Sequence, residues 1–141
     1  MIPILFAVPL ALLLLPAEAI AQPRPFNCVG AEQLEEDVFA ISFAWGATVP
    51  SDAARSNLLA AAERAKQAPE RMLCVLGHAG PQEGGAQAGL ALAARRAGTV
   101  ATALARLGVE RDRIRAEARR AAFARGTVPA KRSVTVVLLP P

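Results

Sequence analysis

The residues able to do chemistry are concentrated in one stretch, 71–100, which reads RMLCVLGHAGPQEGGAQAGLALAARRAGTV. His78 is the single histidine and follows Cys74 by four residues. On a strand the two would share a face, as a metal-ligating pair does. No second Cys/His pair exists, and Cys28 would bring the set to three at most, short of a closed structural zinc site. A nucleophile setting is missing too, since no Gly-x-Ser-x-Gly or comparable motif is present and the histidine leads into a turn. Gly84-Gly85 lacks the Lys-Ser/Thr that follows a phosphate loop. The expectation is therefore a chain that is not an enzyme and takes no metal and no cofactor, with His78 closing a strand end by packing or hydrogen bonding. Charge is what the stretch does offer: a carboxylate, Glu83, and the adjacent guanidinium pair Arg95 and Arg96.

These side chains need a frame. Residues 72–76, MLCVL, form an uninterrupted apolar run, the pattern of a central strand covered on both faces. A polar, glycine-rich loop follows at 81–85. An alanine-rich helix is then predicted over 86–107, with Leu92, Thr99, Val100, Ala103, Leu104 and Leu107 on one face and Gly108 ending it. Upstream, residues 38–44, VFAISFA, suit a buried strand, and Trp45 is expected to pack at its end. Ser51 can cap a helix running to about Ala68, with Leu58, Leu59, Ala62 and Ala65 facing the core and Pro69 stopping it. Downstream, 113–118 alternates and suits a strand near an edge, 123–130 is a loop, and 131–137 is a closing strand. The order β-α-β-α-β-β predicts an α+β two-layer sandwich, with two helices packed on a mixed sheet.

The same residues carry a family resemblance. Gly77-His78-Ala79-Gly80 stands where the OmpA-like (OmpA/MotB C-terminal) domain family has Gly-His/Tyr-Thr-Asp. Leu92-Ala93-Ala94-Arg95-Arg96-Ala97 stands where that family has Leu-Ser-x-x-Arg-Ala. Arg132 matches the first arginine of the family's closing strand, and the likeness extends over residues 37–139. The resemblance implies the same fold and non-covalent binding of peptidoglycan in the bacterial periplasm. In the family, the aspartate pairs with the ammonium of diaminopimelate in the stem peptide, and the arginine pairs with its carboxylate. A zwitterion calls for such a fixed anion and bidentate cation. Here the arginine is Arg96, with Arg95 beside it. The aspartate position is Gly80, the loop asparagine is replaced near Gly89, and Glu83 is the nearest carboxylate. The residues implied in binding are His78, Gly80, Glu83, Arg95, Arg96 and Arg132. With half of the clamp absent, an OmpA-like fold acting as an envelope interaction module through a basic face is the alternative.

Length and composition set the surroundings. A chain of 141 residues holds one domain of ordinary size. Residues 2–16 are almost wholly apolar and precede two small-x-small cleavage signatures around Ala19, so residues 1–21 read as a signal peptide. That leaves 22–36 as a linker containing a short acidic helical turn, and 37–139 as the domain. After such cleavage, 16 basic residues face 11 acidic ones, giving a formal charge of +5. A basic exported domain suits anionic lipid, wall carboxylates or envelope proteins. Eight basic residues fall between Arg111 and Arg132, but Phe123 is the only aromatic among them, which argues against nucleic acid. Cys28 and Cys74 are either bridged, as export permits, or two separate buried hydrophobes.

Overall fold

The apolar runs become four strands of one sheet in the computed structural model, which describes residues 3, 24–80, 82–120 and 132–141. These are β1 (Val38–Ser42), β2 (Leu73–Gly77), β3 (Ile114–Ala118) and β4 (Ser133–Leu138). The helices are α1 (Arg55–Gln67) and α2 (Gly85–Arg106). The sheet order is β1-β4-β2-β3, with β2 parallel to β3 and β4 antiparallel to both β1 and β2. The fold is the expected α+β sandwich, with both helices on one face of a mixed sheet. Most of the expected signal peptide and the loop 123–130 lie outside the described residues. Among the described residues, no helix is long and apolar enough to cross a membrane.

All five residues of β2 are buried, as its unbroken apolar run predicts. Leu73 and Val75 point toward the helices and join Ile41, Val134, Val136, Leu104 and Val100 in the main core. Cys74 and Leu76 point to the opposite face. There they meet Val137, Cys28 and Ala31 in a second cluster, flanked by Phe26 and Leu34. The stretch read as a linker is thus docked rather than free: it covers the face of the sheet that the helices leave open. The Cys28–Cys74 disulfide ties it down, with the Cα atoms 5.8 Å apart. This removes the second alternative for the cysteines, and it leaves Cys74 with no thiolate for a metal.

Three local expectations change. Ser51 does not cap α1: its hydroxyl lies 2.7 Å from that of Ser42, and a 3-10 turn, Asp52–Ala54, leads into the helix. Leu59 is 46% exposed, and Ala61 takes the core position with Ala62 and Ala65, so the buried stripe is narrower and richer in alanine than expected. Arg113 is neither a strand residue nor part of a surface patch. It is buried and donates to the carbonyls of Ala65 (2.8 Å), Ala68 (2.7 Å) and Arg71 (2.9 Å). A guanidinium there supplies further donors to carbonyls at the end of α1 and in the turn that follows it.

Candidate functional site: a closed carboxylate–guanidinium pair

Helix α2 lies against β2 so closely that a Cβ on Gly77 would stand 2.0 Å from the carbonyl oxygen of Ala93. Only glycine permits that approach. It carries Arg96, just after Ala93 on the helix, over the C-terminal end of β2. The Arg96 side chain has no exposed surface. Its Nε donates to Ala47 O (2.8 Å), Nη1 to His78 O and Glu83 Oε1 (3.1 Å each), and Nη2 to Ala44 O (3.2 Å) and Glu83 Oε2 (2.7 Å). Every N–H of the guanidinium therefore has an acceptor. The Phe43 ring lies beneath it, 5.2 Å from centroid to Cζ.

Glu83 is equally enclosed, with its side chain at zero exposure. Besides the two contacts from Arg96, it accepts the N–H of Gly80 (2.8 Å) and of Gly46 (2.7 Å). Burial alone would push this carboxyl up. The Arg96 guanidinium and the two backbone N–H groups overcome that and hold its pKa down at about 2. The pair is thus fully ionised, mutually neutralised and dry. It joins three segments: the β1–α1 loop through residues 44, 46 and 47, the loop that follows β2 through residues 78, 80 and 83, and the middle of α2 through Arg96.

Four of the six residues singled out in the sequence meet here: Gly80, Glu83 and Arg96, with His78 through its carbonyl. A Cβ at position 80 would stand 3.4 Å from Glu83 Oε1, so the Glu83 carboxylate sits beside the place where the motif's aspartate would be. Gly80 is not in the left-handed region, so its backbone would accept aspartate, but a second carboxylate would face Glu83. Arg95 turns to solvent and is not part of the pair. Arg132 meets the site's margin through its carbonyl, which accepts the N–H of Phe43 at 2.8 Å.

The His78 ring is not in the site either. It shares the face of Cys74 and Leu76, 3.5 Å from Thr135 Oγ1, on the side covered by the N-terminal segment. Burial lowers its pKa from 6.5 to about 4, helped by Arg119 and opposed by Glu32. A folded pKa below the unfolded one means that the unfolded chain binds the proton better. Stability should therefore be complete above about pH 6.5 and decline as pH falls toward 4, by roughly 3 kcal/mol. Urea unfolding between pH 7 and 4.5 should show the decline, and His78→Gln should flatten it. An equal slope in both proteins would place the proton elsewhere.

The contributions of Ala44, Gly46 and Ala47 were not expected, because they act through backbone groups. Trp45, expected to pack, is 58% exposed. The basic segment also changes character. Arg119 donates to Cys28 O (2.8 Å) and pairs with Glu117 and Glu32, and Arg115 pairs with Glu117. With Arg113 buried as well, part of that segment's described charge is committed to contacts within the domain.

The model of the OmpA family matches residues 42–134, a span that contains the whole pair and the β1–α1 loop. The chain belongs to the OmpA family. No curated protein matches it significantly. Among solved structures, the peptidoglycan-associated lipoprotein of Burkholderia pseudomallei superposes with a TM-score of 0.63 at 23% identity, over 72% of this chain and 90% of that one. The OmpA-like domain of FopA1 from Francisella tularensis gives 0.62 at 16%, over 75% and 79%. The periplasmic domain of Helicobacter pylori MotB gives 0.57 at 13%, over 72% and 78%. At these identities the likeness is one of fold.

Proposed function

We propose that this OmpA-family domain is exported to the bacterial envelope and associates there non-covalently with peptidoglycan. The observation that carries the reading is the OmpA-family match over residues 42–134, which includes Arg96 at the position where the resemblance places the family's arginine. The fold likeness to a peptidoglycan-associated lipoprotein and to a periplasmic MotB domain supports it. The apolar N-terminal run supports export. Because the pair is closed on itself, it offers a stem peptide no free charge in this conformation, and wall contact should depend little on salt.

Co-sedimentation with purified peptidoglycan tests this. The protein, recovered from the envelope fraction with an N-terminus near Gln22, should pellet with the wall and stay bound in about 0.5 M salt, where the Debye length is short. A protein that stays in the supernatant would favour the alternative, an OmpA fold used as an envelope interaction module. The closure of Arg96 is the observation on that side. Pelleting that salt abolishes would assign the contact to the basic surface.

A further inference from the structure

The β1–α1 loop is pinned to an unusual degree. Its base is closed by the bridge between Phe43 and Pro50 and by the Ser51 N–H on Ser42 O at 2.9 Å. Inside it, the Ala47 N–H returns to Ala44 O at 3.0 Å, a tight turn with Gly46 at φ 66°. The buried pair then grips this turn on both sides of one residue: Arg96 holds the carbonyls of Ala44 and Ala47, and Glu83 holds the N–H of Gly46. That residue is Trp45. The main-chain groups on either side of it are held by ionic hydrogen bonds, while 58% of its surface faces water. Val49, on the same loop, is 67% exposed. A lone exposed apolar side chain is ordinary. One whose main chain is pinned on either side by a buried ion pair is less so, because the backbone loses little further freedom on binding, which favours affinity.

We propose that Trp45 is a stacking platform for a sugar ring of the peptidoglycan glycan strand, with Glu83 and Arg96 as the positioning residues that hold the platform outward. The inference rests on the peptidoglycan reading above and deepens it by naming the part of the wall that is touched. Charge selects the occupant. Glu83 and Arg96 neutralise each other, so a zwitterionic or anionic stem peptide finds no free ionic partner in the buried pair. A pyranose presents an uncharged face of C–H bonds, whose partial positive charge suits the negative face of an indole. Aromatic anchors of this kind carry a large share of binding energy where they occur.

The chain has one tryptophan, so intrinsic fluorescence reports on this residue alone. Peptide-free glycan strands, prepared by amidase digestion of peptidoglycan, should shift and saturate the emission, whereas free stem peptide should leave it unchanged. Trp45→Ala should weaken pelleting with whole peptidoglycan at least tenfold and leave the thermal midpoint in place. Trp45→Phe should restore most of the pelleting. A response to stem peptide but not to glycan would overturn the proposal, as would Trp45→Ala pelleting like wild type while wild type pellets. If wild type does not pellet at all, the peptidoglycan reading falls first and takes this inference with it.

Discussion

Glu83→Ala is expected to cost about 3–5 kcal/mol of folding stability, the range for removing one partner of a buried ion pair. The cost comes mostly from what is left behind. Arg96, with no exposed surface, would keep its charge among Phe43, Ala97 and the loop carbonyls with two of its N–H groups unpaired. The N–H groups of Gly46 and Gly80 would lose their acceptor as well. Glu83→Gln keeps the shape and some of the hydrogen bonds, and should cost less. The pH dependence has a fixed sign. The folded pKa of Glu83, about 2, lies below its ordinary value of 4.5. The pair's contribution is therefore complete above about pH 4.5 and is lost as pH falls from there toward 2. Denaturant unfolding of wild type, Glu83→Ala and Glu83→Gln at neutral pH measures the first effect. A loss under 1 kcal/mol for Glu83→Ala would show that water reaches the pair.

Reduction of the Cys28–Cys74 bond is expected to cost about 4 kcal/mol. The bond closes a loop with a sequence separation of 46, which fixes that figure in the chain-entropy picture. More than entropy is at stake, because Cys28 anchors the segment that covers Leu76 and Val137. The reduced protein should expose that face and bind a hydrophobic dye, while α1 and α2 persist on the opposite face. The urea midpoint with and without dithiothreitol reads the effect. Equal midpoints would mean that the segment holds to the sheet without its bond.

The strands were legible because their runs are short, apolar and bounded by turn residues. β2 announced itself by having no polar residue at all. The helices followed from Pro50-Ser51-Asp52 at one start and Gly108 at one end. Arg96 stood out through the motif around it, whereas Glu83 was noted only as the nearest carboxylate beside a clamp read as half absent. What could not be read was that the two face each other. That depends on how closely α2 approaches Gly77 and on backbone groups of residues 44–47, which leave no mark in residue types. The cysteine pairing stayed open for a similar reason, since a separation of 46 says nothing about proximity. The direction of the His78 ring was partly legible: alternation puts it on the face of Cys74, but only the docked N-terminal segment shows that this is the face away from Arg96. Arg113 misled because arginine is mostly a surface residue. Trp45 misled because tryptophan beside a strand usually packs.

The closure of Glu83 on Arg96 is most directly tested by a double-mutant cycle of Glu83→Ala and Arg96→Ala, read by denaturant unfolding at pH 7. If the pair is closed, each single variant leaves a buried group stranded, and the double variant loses little more than either one. The coupling should then approach the loss in a single variant, about 3 kcal/mol or more, at or above the upper end for residues in contact. Losses that simply add, with coupling near zero, would mean that Arg96 and Glu83 do not hold each other in solution, and Arg96 would be free to meet a ligand.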